Sequence, residues 1–193
     1  MKKTLAMLTV LAPLLAASAQ EGSTAGENAP SASSSSASWF GNGLNDAGTH
    51  SRPNQLSLMA DLGYGYGFGL GVGARYAITV LHDGFLPQNN DSLAVEFGAD
   101  LNAYFGYAFY GGGVWVTIPV AVGVRWNLFF SPELAGFVHV EGGITVNPQG
   151  FGFGAGSIWG YYSFTLGVLY KLGNGMCLRA EVGYPFLKVG IAF

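Results

Sequence analysis

The sequence predicts an all-β fold, a closed antiparallel up-and-down transmembrane β-barrel of about eight strands. Apolar residues alternate with small or polar residues along most of the chain, which is the pattern of a strand with two different faces. Half of the 193 residues are hydrophobic, a tenth are charged and 31 are glycine. This composition is too apolar for a disordered chain and too rich in glycine and aromatic residues for an ordinary soluble helical domain.

Residues 1–19 are typical of a signal peptide. Lys2 and Lys3 form a basic start, Leu5 to Ala16 is an apolar stretch, and Ala17-Ser18-Ala19 fits the small-x-small cleavage rule. The apolar stretch is shorter than a membrane-spanning helix needs, and a proline interrupts it. We therefore expect cleavage after residue 19 and export of the remaining chain.

Residues 20–54 form an amino-terminal segment ahead of the predicted barrel. Residues 20–38 are almost entirely Ser, Ala, Gly and Pro with a few charges, cannot bury a core, and are expected to be a disordered linker. Trp39-Phe40 and the stretch to Pro53 fit three placements: a plug in the lumen, a periplasmic flap or a simple loop. We favour the loop.

Alternating runs make up the predicted barrel, residues 55–193. The run from Leu58 to Val80 is too long for one strand at about 3.3 Å per residue, so we expect a turn near Gly65 to Gly69. Six further runs and this split one give eight strands, an even number suited to a closed antiparallel barrel. Turn signals separate the later runs at Gly111–Gly113, Ser131–Glu133, Asn147–Gly150 and Gly173–Gly175.

Two other folds are weaker interpretations. Residues 114–130 are hydrophobic enough for a membrane-spanning helix, but they are β-branched, alternate with period two and contain Pro119 and Arg125. A soluble barrel would turn the aromatic residues inward and leave a surface of glycine with few charges, which disfavours solubility. Pro119 conflicts with pairing on both sides of a strand, so we expect a bulge or a strand end there.

Charged residues fall on the face opposite the apolar one, inside the predicted barrel. Eight strands enclose an interior just wide enough for side chains, and buried charges need partners. We therefore predict a structural salt-bridge network that fills the lumen, with His139 as a member rather than a general base. The predicted members are Asp61, Arg75, Glu96, Asp100, Arg125, His139, Glu141, Lys171, Arg179, Glu181 and Lys188.

We expect no cofactor, no metal and no nucleic-acid partner. His50 and His82 lie outside the predicted strands, so no histidine cluster has metal-ligand spacing. The net charge is −3 and no basic patch is present, which disfavours nucleic acid. The glycine-rich stretch Gly63 to Gly73 is alternating strand and not a phosphate loop. The single cysteine, Cys177, has no partner for an internal disulfide.

The carboxyl end of the chain resembles a known signal. Leu187-Lys188-Val189-Gly190-Ile191-Ala192-Phe193 alternates apolar residues and finishes on phenylalanine. Together with the leader, residues 55–193 resemble the small eight-stranded outer-membrane barrels of the OmpA and OmpX type from Gram-negative bacteria. The likeness lies in pattern and not in a residue-by-residue motif. In that class the barrel-assembly machinery reads the last strand, which assigns the assembly signal to Leu187, Val189, Ile191 and Phe193.

The resemblance implies a location in the outer membrane, with outer-membrane lipid around the barrel and the assembly machinery as a partner during biogenesis. We expect a structural or accessory role in the cell envelope without catalysis, and contact with an envelope protein through the periplasmic loop His82 to Asp91. One alternative is a narrow pore, because inward glycines at positions 63 to 73 leave one wall thin. Another is a lipid A-modifying enzyme, although His139-Val140-Glu141 replaces the His-x-Ser pair of lipid A deacylases.

Overall fold

The computed structural model describes residues 39–46, 48–64, 67–105, 113–148 and 157–193. The strands are β1 (Gln55–Gly63), β2 (Phe68–Leu81), β3 (Asp91–Phe105), β4 (Val114–Phe129), β5 (Leu134–Asn147), β6 (Ser157–Lys171), β7 (Cys177–Tyr184) and β8 (Phe186–Ala192). Each strand pairs antiparallel with the next, and β8 closes the barrel by pairing with β1. The predicted fold class, a closed up-and-down barrel of eight strands, is confirmed.

The connections follow the predicted turn signals where they are described. The long first run divides between β1 and β2. In the turn after β4, the Ser131 hydroxyl accepts hydrogen bonds from the backbone amides of Glu133 (3.2 Å) and Leu134 (3.0 Å). The predicted signal peptide and the linker 20–38 lie outside the described residues. So do residues 65–66, 106–112 and 149–156, which include parts of three predicted turns.

The two faces of the sheet differ completely in chemistry. Every exposed outward-facing residue of the eight described strands is Leu, Val, Ile, Ala, Gly, Phe, Tyr or Trp, with side chains such as Val72, Val122 and Val140 about half exposed. Asp91, at the lower start of β3, has the same alternation but is buried and accepts a hydrogen bond from Trp126 (2.8 Å). The inward face carries the charged and amide side chains. We call the end of the barrel where β1 begins and β8 ends the lower end, and the opposite end the upper end.

Pro119 lies in the middle of β4, so the expectation of a bulge or a strand end was wrong. It pairs with Thr145 on the β5 side. On the β3 side the ladder omits the pairs at Asp100 and Leu101, while the flanking pairs keep one common register. Proline has no N–H to donate. The hydrogen-bond ladder between β3 and β4 is therefore interrupted at Pro119 without a β-bulge, because the pairs on both sides keep the two strands in register.

The described residues 39–54 close the lower end, so the loop that we favoured is also wrong for Phe40. Phe40 is fully buried and packs edge-to-face on Phe129, with ring centroids 5.2 Å apart. The apolar cluster around it, the plug cluster, consists of Phe40, Phe129, Ala135, Phe137, Leu169, Cys177 and Ala192, with Trp39 packed against it. We call residues 39–46 and 48–54 the plug segment.

A second apolar cluster fills the upper part of the lumen. It consists of Tyr104, Ala121, Tyr161 and Phe186, with Trp115 packed against it. Several inward glycines make room for their neighbours, and Gly167 is the clearest case. The ring of Phe137, its register partner on β5, occupies the space where a Cβ of Gly167 would stand. The glycines therefore allow bulky residues of adjacent strands to cross the lumen.

Replacing Gly167 by alanine is expected to destabilise the barrel by about 1–3 kcal/mol, because the new methyl group would overlap Phe137 and the Ala180 carbonyl. The matched control is Gly160→Ala on the outer face of the same strand, where nothing lies within 4 Å. Urea unfolding in detergent micelles measures both free energies of unfolding. Equal stability losses in the two variants would contradict this account of the inward glycine.

Candidate functional site

The lumen brings together ten of the eleven charged and histidine residues predicted to line it. All ten are at least 95% buried: Asp61, Arg75, Glu96, Asp100, Arg125, His139, Glu141, Arg179, Glu181 and Lys188. We call this set the lumen network. The eleventh, Lys171, is half-buried at the lower end of β6, where its amide donates to the Glu133 carbonyl (2.7 Å). It therefore belongs to the lower rim rather than to the network.

Glu96 on β3 is the centre of the lower half of the network. Arg179, from β7 on the other side of the lumen, donates two hydrogen bonds to its carboxylate (2.7 and 3.0 Å). Arg125 Nη1 approaches the same carboxylate at 2.9 Å, and Arg179 also donates to Glu181 (2.6 Å). Paired hydrogen bonds of a guanidinium to a carboxylate are strong and directional. This arrangement ties β7 to β3 across the lumen.

Asp100 and Arg75 form the upper half of the network. The Arg75 guanidinium donates to both oxygens of Asp100 (2.6 and 2.7 Å) and to both oxygens of Glu141 (3.2 Å each). Lys188 on β8 donates to Asp100 at 2.8 Å, and the Tyr161 hydroxyl donates to Glu141 at 2.8 Å. Strands β2, β3, β5, β6 and β8 are thereby joined through one group of contacts.

His139 stands between the two halves. Its ring nitrogens lie 3.8 Å from Glu96, 3.9 Å from Glu141 and 3.7 Å from Glu181. The network holds four permanent cations and five carboxylates, and His139 lies among three of the carboxylates. The ring is 2% exposed, and a general base must reach the proton that it abstracts. Its position therefore places the ring inside the lumen network, between carboxylates of both halves.

Asp61 is the one carboxylate of the network without a hydrogen bond. Both of its oxygens are buried and have no hydrogen-bond partner among the described residues, and the same holds for both amide atoms of Asn102. Lys188 is the register partner of Asp61 on β8, but its ammonium group donates to Asp100. The upper half of the lumen therefore contains two buried polar side chains that form no hydrogen bond with the described protein atoms.

Arg52 fastens the plug segment to the barrel. Its guanidinium lies 3.7 Å from the ring centre of Phe129 and donates to the carbonyls of His82 (2.5 Å) and Trp39 (2.7 Å) and to the Asn90 side chain (2.5 Å). Burial lowers the pKa of Arg52 to about 10, which leaves it charged at neutral pH. The contact on the ring is a cation–π interaction, which strengthens on desolvation.

The plug segment and the loop between β2 and β3 form one surface. The Asn90 amide donates to the carbonyls of Phe40 (2.7 Å) and Gly43 (3.0 Å). His50 is held between Asp46 (3.3 Å) and Asp83 (3.6 Å), beside a cavity of about 120 Å³. Hydrogen bonds from the backbone amides of residues 42 and 48, helped by His50, lower the pKa of the Asp46 carboxyl.

Sequence reasoning missed the residues that fasten the plug. Arg52 and Asn90 lie outside the alternating runs, so the period-two pattern could not assign their side chains to the inside or the outside of the barrel. Gln55 and Tyr161, which donate or accept within the lumen network, are uncharged and were not counted with it. The aromatic pair Trp39-Phe40 directly after a Ser-rich stretch was the one available signal, and it is compatible with several placements.

Comparison with known proteins identifies no family for this chain. No protein-family model matches the chain, and none of the curated proteins compared with it matches either. In the part of the chain that the structure describes, no helix is long and apolar enough to cross a membrane. No group of three or more His, Cys, Asp or Glu side chains among those residues is arranged to hold a metal ion.

Replacing Arg179 by methionine is expected to cost about 3–5 kcal/mol of stability, because Glu96 and Glu181 would stay buried with fewer partners. Lys171→Met is the control at the rim, and its expected cost is at most about 1 kcal/mol. Urea unfolding measures both. A loss for Arg179→Met no greater than that for Lys171→Met would show that the network does not stabilise the barrel.

Acid is expected to loosen the plug segment near Asp46. Because the folded pKa of Asp46 is lowered, its contribution is complete above the ordinary carboxyl value of 3.8 and is lost as the pH falls through the folded value. Hydrogen-exchange protection factors for residues 39–54 measure this, since they correct for the intrinsic effect of pH. Asp46→Asn should remove the acid-dependent change, and an unchanged profile in that variant would contradict the assignment.

Proposed function

We propose that this chain is an integral outer-membrane β-barrel of the Gram-negative envelope, with a structural or accessory role and no catalytic activity. The observation that carries the proposal is that the exposed side chains on the outer face of the described strands are all apolar or aromatic. Water disfavours such a surface on every strand, whereas hydrocarbon favours it. The charged residues that a soluble barrel would place outside are buried in the lumen instead.

Aromatic residues on the outer face support a membrane position. An upper band consists of Tyr64, Phe68, Phe105, Tyr162 and Tyr184, and a lower band of Tyr76, Trp126, Phe130, Tyr170 and Phe193. On β2 and on β6 the two bands are eight residues apart, which is about 21 Å along the barrel axis for strands tilted by about 40°. Outer-membrane barrels carry aromatic girdles around an apolar band of about 25 Å.

The filled lumen supports a structural role over a pore. Tyr104, Asn102 and Asp100 of β3 lie across Gly69, Gly71 and Gly73 of β2, so the wall that the sequence suggested to be thin is lined by side chains of the next strand. The plug cluster closes the lower end below the network. An ion that crossed the lumen from end to end would have to displace the buried salt bridges between the upper aromatic cluster and the plug cluster.

The same burial argues against the lipid-modifying enzyme. His139 is enclosed by three glutamates and by Arg125, its register partner on β4, and is 2% exposed. A lipid substrate approaches from the outer face, where the strands present only apolar and aromatic side chains. Catalysis by His139 would therefore require the network to open.

The lower end is the surface that we assign to an envelope partner. Both the plug segment and the end of β8 lie there. The residues of the predicted assembly signal are exposed, with Leu187, Val189 and Ile191 on β8 and Phe193 directly after it. If the end of the chain is periplasmic, as in the barrels that it resembles, the plug segment and the loop after β2 face the periplasm. A cross-linker placed at Asp83, which is half exposed, should then trap a periplasmic or membrane protein.

Two measurements test the proposal. Folded barrel in isolated outer membranes should resist SDS at room temperature and change mobility after boiling. Purified chain in planar bilayers should give no discrete conductance steps. Recovery of the chain as a soluble periplasmic protein would refute the location, and robust conductance from the purified chain alone would refute the structural role.

Val122→Arg is expected to cost about 2–4 kcal/mol on refolding into lipid vesicles, because Val122 lies half-exposed at the middle of β4 on the outer face. Val114→Arg, at the upper end of the same strand, should cost about 0–1 kcal/mol. Urea titration of vesicle-bound protein gives both values. A water-exposed outer face predicts instead that neither arginine is costly.

A further inference from the structure

Asp61 and Asn102 lie on the inner face of the barrel, on the two strands that flank the glycine-rich part of β2. Asp61 on β1 pairs in register with Gly71 on β2, and Gly71 pairs with Asn102 on β3. The Asn102 side chain lies over Gly71, where a Cβ would overlap its Oδ1. Gly71 contributes no side chain, so its register neighbours on the inner face are Asp61 on β1 and Asn102 on β3.

Asp61 also faces a second carboxylate. A Cβ on Gly73, one position further along the inner face of β2, would lie 3.4 Å from Asp61 Oδ2 and would also overlap Asp100 Oδ1. Asp100 is neutralised by Arg75 and Lys188, whereas Asp61 has no hydrogen bond among the described residues. Two carboxylates in one buried space repel unless a cation or a proton lies between or beside them.

We propose that Asp61 and Asn102 bind a small monovalent cation of the Na⁺ class in the upper half of the lumen. The donor set is the carboxylate of Asp61 and the amide oxygen of Asn102, and hard oxygen atoms suit hard cations. Both side chains are at least 97% buried and lack other partners among the described residues. The cation would supply the contact that the Lys188 ammonium group does not make.

The charge around the site selects a monovalent ion. Lys188 and Arg75 already bring two positive charges to Asp100, so a divalent ion beside Asp61 would leave an excess of positive charge in the same buried space. A calcium ion also requires six to eight oxygen ligands. The described residues supply one carboxylate and one amide without other partners, which is too few ligands for a calcium ion.

The site is independent of the proposed location of the barrel. It lies inside the lumen, between the upper aromatic cluster and the salt bridges of Arg75, and neither of its two side chains reaches the outer face. Failure to find cation binding would therefore leave the membrane proposal untouched, and the reverse also holds.

Thermal unfolding of the intact barrel in a zwitterionic detergent tests the proposal. Midpoints are compared in NaCl, LiCl, KCl and choline chloride at equal concentration, so that ionic strength is constant and only the cation changes. We expect a saturable rise of a few degrees in at least one alkali chloride relative to choline chloride. Identical midpoints of the wild-type protein in all four salts would overturn the proposal without the need for any variant.

Three variants locate the effect. Asp61→Asn removes the charge and Asn102→Leu removes the amide, and each is expected to abolish most of the alkali-ion shift. Ser163→Ala is the matched control, because Ser163 is equally buried on the inner face of β6 and also lacks a hydrogen bond among the described residues. It should keep the shift. A full shift in a folded Asp61→Asn or Asn102→Leu variant would place the bound ion elsewhere and overturn the assignment.

Discussion

The need to pair every charge inside a narrow cylinder governs this structure. An eight-stranded barrel has room for side chains and little else, and an isolated buried charge is very costly. Arg75 and Arg179 meet that requirement by reaching carboxylates on distant strands, from β2 to β5 and from β7 to β3. The ladder joins only neighbouring strands, whereas these contacts brace the barrel across its diameter.

Apolar clusters above and below the network reinforce this bracing. The plug cluster separates Glu96 and Arg179 from the lower end, and the rings of Tyr104 and Phe186 lie on the upper side of Arg75. Hydrogen bonds between ions strengthen where the local dielectric is low, so the clusters and the network support each other. The plug segment is therefore part of the electrostatics of the lumen as well as of its packing.

The sequence was sufficient for the fold class and for placing most of the charged side chains inside the barrel, because a period of two assigns each residue to one face. Arg75, Glu96 and Arg179 could be placed inside without knowing their partners. Those partners depend on strand tilt and stagger, which no local pattern encodes. Lys171 alternates like the others and still lies at the rim. Phe40 is buried in an apolar cluster to which five strands contribute.

The composition of that cluster has a consequence for the order of assembly. Its other members come from β4, β5, β6, β7 and β8, the last strand to join the sheet included. Phe40 precedes every strand in the chain, and yet its apolar cluster is complete only when the five strands β4 to β8 are in place. Full packing of Phe40 therefore comes after the last strand has joined, and burial of this ring reports that β8 is in place.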